Sequence, residues 1–366
     1  MKYIPALDGV RAIAIILVML FHYYYLVEIG WVGVQLFFVL SGFLITSILL
    51  NEKNKTLGVY LKRFYWRRSL RIFPIYYLYI ILVGIVFLAT NFPENYNVLA
   101  PYLYTYTFNY LPLKEGVQFD VFFTHFWSLS VEEQFYIIWP MVIFLFNKKT
   151  LKYILVAIII GSPIFRFFVA EWLISNNYLS SEIGEIVYRL TPSQLDGFAF
   201  GALIPIFNLG DKKWNFSWLL YLSLALFVIV GITVYALFDG NLNHGITSLG
   251  FPIGETAHYQ HVWSYLLINL VSLTLILFVL KKQSLFSRVM SSKFFVEVGK
   301  VSYGMYVYHW VIIAFFRKTI SLYIPNHLIS FIIYFILVYI VSYLSFRLFE
   351  NYFIKLKDKK FNTSVA

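Results

Sequence analysis

The sequence predicts an all-α, polytopic membrane protein of about ten transmembrane helices with both termini cytoplasmic. Three observations predict it. Of the 366 residues, 60% are apolar and only 13% charged, where a soluble domain carries roughly 45–50% and about 25%. Runs long enough to cross about 30 Å of hydrocarbon recur along the whole chain. Lys and Arg gather in alternate connections between those runs, the asymmetry by which cytoplasmic loops are recognised. The 38 Phe and 30 Tyr suit helices that pack in lipid and anchor at its interfaces. With no cysteine, disulfides, thiolate metal sites and thioester-forming nucleophiles are excluded. The net charge of +11 lies in short loops, so it reads as topology and no nucleic-acid partner is expected.

The runs begin near Ala12, Val34, Ile75, Phe135, Tyr153, Leu195, Trp218, Tyr265, Val301 and Leu328. The first carries His22, lacks a small-residue cleavage site and leads straight into the second, so it reads as a retained helix rather than a signal peptide. Between the second and third lies the main cytoplasmic connection, Asn51 to Pro74. The longest outer segments are Asn91 to Val131, Glu171 to Ser193 and Asp239 to Trp263. Counting alternately, the cytoplasmic side holds Lys2, the cations from Lys53 to Arg71, Lys148 to Lys152, Lys212 and Lys213, those from Lys281 to Lys300, and those from Arg347 to Lys360. The outer side holds Lys114, Arg189, Arg317 and Lys318. One helix more or fewer would scramble this alternation, which supports an even number of spans. No internal repeat or linker interrupts residues 1–366, so a single transmembrane domain is expected, with no appended extracytoplasmic domain.

Ionisable groups inside apolar runs cost several kcal/mol, about 2.5–3.5 on insertion scales, and each needs a reason. A first helix starting near Asp8 carries His22 about 21 Å along its axis, past the midplane towards the outside. Arg11 precedes His22 by close to three turns, on the same face, and Asp8 is an i,i+3 partner for Arg11. The same spacing puts Asp8 too far from His22 to orient it. Two readings fit His22: a neutral histidine packed between helices, or a general base whose ordinary pKa near 6.5 suits deprotonation of an alcohol attacking a thioester. The run Trp127-Ser128-Leu129-Ser130-Val131-Glu132-Glu133-Gln134-Phe135-Tyr136 enters the fourth span. Of its adjacent carboxylates one is expected to face solvent and one to turn inward; Glu132 is read either as charge at a helix N-terminus or as the group orienting the imidazole or the acceptor hydroxyl. On the cytoplasmic side, Arg67, Arg68 and Arg71 fall at i,i+3 and i,i+4 spacings, so their guanidinium groups converge. They read as a phosphate grip for a nucleotide-bearing acyl donor, with Lys62 and Arg63 as lipid anchors. Further embedded groups are Ser41 beside Gly42, Asp196 and His309. His258 and His261 match a metal pair in spacing only, and no metal is expected.

These segments together resemble the acyltransferase 3 family of membrane acyltransferases. The resemblance rests on Pro5-Ala6-Leu7-Asp8-Gly9-Val10-Arg11 followed after ten residues by His22, on Phe37-Phe38-Val39-Leu40-Ser41-Gly42-Phe43-Leu44, on Arg68-Ser69-Leu70-Arg71, on Trp127 to Tyr136, and on Val301 to Trp310. It implies a catalytic His22 with Glu132 in the functional core. It also implies that Arg11 and the Arg68/Arg71 pair serve donor binding or its architecture; Arg67 and Ser41 join them as donor-binding candidates, and Asp8, Trp127, Ser130, Tyr136, Asp196 and His309 are read as a supporting core. The family often has an arginine two residues before the acidic position, where this chain has Gln194.

The expectation that follows is a multi-pass enzyme of the bacterial cytoplasmic membrane, moving an acyl group, acetyl by family habit, from cytoplasmic acetyl-CoA. The acceptor would be a hydroxyl of an extracytoplasmic or lipid-linked glycan such as O-antigen, lipopolysaccharide or another surface polysaccharide. The rival is a transporter or flippase, for which embedded His, Asp and Arg are equally expected; it lacks the inverted repeat and leaves the cytoplasmic arginine cluster unexplained.

Overall fold

A computed structural model describes residues 3–91, 95–114, 122–210, 216–238, 245–281 and 284–362, with backbone alone at 180, 181, 238, 257 and 357–362. Lys2, Lys212, Lys213 and Lys282 lie outside the described residues, as do parts of two of the predicted outer segments. The protein is all-helical, with no strand among the described residues. Its α-helices are α1 Pro5–His22, α2 Val32–Glu52, α3 Leu57–Thr90, α4 Tyr96–Tyr104, α5 Phe126–Leu145, α6 Lys148–Ser175, α7 Ser180–Arg189, α8 Thr191–Ile206, α9 Ser217–Phe238, α10 Gln260–Leu280, α11 Leu285–Met290, α12 Lys293–Lys318, α13 His327–Ser345 and α14 Asn351–Asn362. Each of the ten apolar runs forms a helix. Seven stretches are long and apolar enough to cross a membrane: α1, Glu28–Glu52, α3, α6, Ser217–Leu237, α10 and His327–Leu356. The other three runs fall in α5, α8 and α12; α8 has only 16 residues, and α5 and α12 carry charged and polar side chains along their length.

Local chemistry sets several boundaries. Pro5 occupies the first turn of α1, where its missing N–H costs nothing, so the helix starts earlier than Asp8 and ends on His22 itself. Asn147 accepts from Thr150 N at 3.0 Å and caps α6; Asn326 accepts from Leu328 N and Ile329 N at 3.0 and 3.1 Å and caps α13. The Asn51–Pro74 connection is a connection only as far as Thr56. From Leu57 on it belongs to α3, 34 residues with Pro74 inside the helix, about 51 Å long. α5 begins at Phe126, so Glu132 and Glu133 sit in its second turn rather than at the mouth of a helix starting near Phe135.

The chain divides into two compact units, Met1–Leu50 with Met141–Gly299, and Asn51–Pro140 with Lys300–Ala366. No linker marks the division, because its boundaries fall inside α2, α5 and α12, and that is why composition did not reveal it. In the first unit, Ala6, Leu7 and Val10 of α1, Leu36, Val39, Leu40 and Phe43 of α2, and Leu273, Ile276 and Leu277 of α10 share one apolar core. α2 and α8 cross with backbones in contact. A side chain at Gly42 would meet the Phe198 carbonyl, and one at Gly201 would meet the Val39 carbonyl. Small residues at a crossing are what permit such approach where lipid supplies no hydrophobic drive.

In the second unit, α3 and α5 run antiparallel along a ladder of α3 side chains. Tyr60 Oη donates to Pro140 O at 3.1 Å and Tyr65 Oη to Ile137 O at 2.8 Å. The Arg68 guanidinium lies 4.1 Å over the Tyr136 ring, and Tyr76 stacks on Phe126 at 5.0 Å. As the α3 number rises, the α5 number falls. This register places Glu132 and Glu133 between the levels of Arg68 and Tyr76. Tyr303 of α12 joins that level by donating to Ile72 O at 3.3 Å.

Candidate active site

The first unit carries the α1 residues. The Arg11 guanidinium pairs with Asp8 Oδ1 at 2.8 Å, as the i,i+3 spacing predicted, and Tyr3 Oη donates to Asp8 Oδ2 at 2.7 Å. Burial and the Asp8 carboxylate push the Tyr3 phenol up to about 12, so at neutral pH it keeps its proton and remains a donor to Asp8. A side chain at Gly299 would meet the Asp8 carbonyl; the pair is thus held at a tight helix contact. His22, half-buried, is the last residue of α1, and its ring meets Phe21 at 5.1 Å. Ser41 is half-buried on α2 beside Gly42.

Asp196 lies fully buried on α8, and its partner is Arg166 of α6, at 2.9 Å with neither side chain exposed. Asp196 Oδ1 also accepts from Gly197 N at 2.9 Å. Arg166 also donates to Ser193 O at 2.5 Å and Val262 O at 3.0 Å and lies 4.6 Å over the Tyr265 ring. Three helices are thereby tied through one guanidinium, the residue best suited to a buried fork. Gln194 does other work: it accepts from Gln35 Nε2 at 2.6 Å and donates to Tyr188 O at 2.5 Å. The cation missing at position 194 comes from α6. Arg166 stands inside an apolar run, where a count of loop charges passes over it.

In the second unit the arginines and carboxylates share one level. Arg67 and Arg68 are half-buried and Arg71 is exposed. Arg68 Nε is buried without a hydrogen-bond acceptor, while the same guanidinium acts electrostatically on Glu133. Glu133 is the carboxylate turned inward, 8% exposed; the half-buried Glu132 accepts from the Tyr136 hydroxyl one turn on. Sequence reasoning gave Glu132 the inward part; adjacent positions point about 100° apart on a helix, and which of the two meets the protein is decided by the neighbouring helices rather than by spacing. Gln134 clamps the neighbouring loop, donating to Tyr106 O at 2.7 Å and Asn109 Oδ1 at 2.9 Å. Trp127 and Ser130 are buried, and Ser130 Oγ donates to Phe126 O at 3.1 Å.

Two further groups hold residues that the sequence did not single out. His309, which it did, is fully buried; its ring lies 4.8 Å from that of His125, which it did not, and its Nδ1 bonds Tyr306 O at 2.6 Å. Beside them Ser128 Oγ and the Tyr306 hydroxyl are 2.5 Å apart. The second group is Glu350, at the end of a π-helical turn, Phe346–Glu350. It accepts from Ser345 Oγ at 3.1 Å and feels the Arg71 charge. A π-turn is the kind of irregularity that marks function, and no sequence pattern announces it. Among the described residues no three His, Asp or Glu side chains gather to hold a metal ion, so His258 and His261 acquire no third ligand there.

A family model described as an acyltransferase domain matches residues 4–347. The chain belongs to this family. The acyltransferase chain is 29% identical over 384 aligned positions to the peptidoglycan O-acetyltransferase OatA of Listeria monocytogenes, covering 98% of this chain and 58% of that protein. It is 29% identical to the O-acetyltransferase OatA of Staphylococcus aureus, covering 96% and 57%, and 29% identical to a putative O-acetyltransferase of the same species, covering 99% and 59%. It therefore spans somewhat over half the length of these relatives. No solved structure matches it. Within the first unit the fold gathers Asp8 with Arg11 and Asp196 with Arg166; within the second it gathers Arg68, Glu132, Glu133 and Tyr136.

Proposed function

We propose that this acyltransferase is a membrane O-acetyltransferase that takes an acetyl group from cytoplasmic acetyl-CoA and places it on a hydroxyl of an envelope glycan. The observation that carries the donor half is Arg68: its guanidinium is fixed over Tyr136 and its Nε is a buried donor lacking an acceptor. A guanidinium held in that way is pre-organised for the phosphate oxygens of a coenzyme A head group, with Arg67 and Arg71 adding positive charge. Relatives named as peptidoglycan or O-acetyltransferases favour peptidoglycan over O-antigen as acceptor. In this reading neutral His22 takes the proton of the attacking hydroxyl, the sugar oxygen bonds the thioester carbonyl carbon, and the thiol of coenzyme A leaves. Positioning of the reactants supplies much of the remaining acceleration.

Thermal stabilisation tests the donor. A ligand at a hundred times its Kd stabilises the folded state by about 2.7 kcal/mol, so saturating acetyl-CoA should raise the melting temperature of the purified protein, and Arg68→Ala should remove most of that rise. An unmoved melting temperature with acetyl-CoA, beside a shift with a transported solute, would favour the transporter reading.

The same proposal includes ten spans with both termini cytoplasmic, supported by the ten helices and the alternation of Lys and Arg. The chain has no cysteine, so single cysteines can be introduced without background. In right-side-out vesicles an impermeant maleimide should label Ser180→Cys and spare Lys53→Cys; the reverse pattern would invert the topology.

A further inference from the structure

His22 ends α1 and the chain turns at once. Leu26 N donates to Tyr23 O at 3.1 Å, closing a four-residue turn whose central residues are Tyr24 and Tyr25. Both have φ 51°. Paired positive φ is the pattern of a type I′ turn, whose central positions belong to Gly, Asn and Asp because a bulky side chain is crowded there. Local preference is thus overridden twice in succession, and such backbone persists only where its surroundings over-determine it, typically at ligand sites.

The surroundings here do so. Tyr23 is fully buried and its N–H donates to Met19 O at 2.9 Å. Downstream, Glu28 Oε1 accepts from Gly245 N at 3.0 Å, and Trp31 Nε1 donates to Phe251 O at 2.9 Å. The two strained tyrosines are nonetheless held outward, 46% and 62% exposed. Tyr25 meets the Phe21 ring edge-on at 5.1 Å, and Phe21 lies equally close to the His22 ring. Tyr25 is therefore separated from His22 by a single aromatic ring, that of Phe21.

We propose that Tyr24 and Tyr25 form a sugar-stacking subsite that seats a pyranose ring of the acceptor beside His22. The proposal rests on the reading of His22 as the base and of a glycan as acceptor. A pyranose offers a face of C–H groups with partial positive charge, which matches the negative face of an aromatic ring. Tyrosine supplies that face at small entropic cost and adds a hydroxyl that can bond sugar hydroxyls. Anchoring in the lipid interface explains the choice less well, since it asks only for an amphipathic ring at the headgroup level and gives no reason for positive φ.

The test uses the full chain in lipid nanodiscs with chito-tetraose, a β-1,4-linked N-acetylglucosamine tetramer, as probe. Binding is followed by saturation-transfer NMR and acetyl transfer by mass spectrometry. The decisive variant is the double change Tyr24→Gly and Tyr25→Gly, which suits the positive φ and removes both rings. It should melt at or above the parent temperature, yet bind the tetramer about tenfold more weakly with an unchanged acetyl-CoA shift. Tyr24→Phe with Tyr25→Phe should retain most of the binding. Equal tetramer affinity in parent and glycine variant, or no binding to the parent, overturns the platform. Binding by the parent, lost in the glycine variant, without any acetyl transfer leaves the platform standing and removes the reading of this glycan as the acetyl acceptor.

Discussion

Arg166→Ala is expected to destabilise the protein by about 3–5 kcal/mol, because it strands a buried carboxylate with no counter-charge. The loss is concentrated there for two reasons. Arg166 and Asp196 are both fully buried, so neither can turn to water, and the guanidinium also satisfies the Ser193 and Val262 carbonyls. Arg166→Lys should rescue only part of the loss, since an ammonium keeps the charge but not the planar fork. Asp196→Asn should cost less than Arg166→Ala, as it leaves a neutral amide near Asn269 and Gly197. Replacing the pair together, Arg166→Met with Asp196→Leu, is expected to recover much of the stability, because a buried ion pair contributes little beyond a well-packed apolar pair. Thermal unfolding in detergent with all four variants checks the ranking. A double variant no better than Arg166→Ala would show that the carbonyl contacts, rather than the charge balance, hold the three helices.

His22→Ala is expected to remove acetyl transfer, by about a hundredfold to ten-thousandfold if His22 acts only as base, while leaving the melting temperature near that of the parent. The structural half of this expectation follows from its place. His22 is half-buried at the end of α1 and packs on Phe21, so shortening it leaves little void. The chemical half is separable from donor binding, because the arginine grip is on α3; acetyl-CoA should therefore still raise the melting temperature of His22→Ala. Transfer at the parent rate in that variant would end the base assignment.

How far the sequence spoke depended on whether a feature was local. The Asp8–Arg11 pair was legible because i,i+3 spacing on a helix is a local rule, and the arginine cluster because its spacing already implied a helical face. Pro5 moved the start of α1 by a turn, and Pro74, which looks like a break, sits within α3. Each shift changes which side chains share a level. The burial of Glu133 was hidden because adjacent positions always point about 100° apart on a helix, and which of them is covered depends on packing from other helices. The Arg166–Asp196 pair was out of reach because its members are thirty positions apart on separate helices, and pairing between helices leaves no periodicity. Glu350 was hidden for another reason: the reading stopped at the last apolar run, and its environment depends on a change of helical pitch.

That change of pitch has a consequence for the end of the chain. A π-turn holds one residue more than the α-turn it replaces, and each residue carries about 100° of rotation. Phe346–Glu350 therefore resets the phase of everything after it: Glu350 comes to face Gly304, where a Cβ would stand 3.4 Å from its carboxylate, and α14 leaves on a new azimuth. The last helices behave as a shaft with a keyed coupling, in which one inserted residue decides which face of α14 is presented to α3.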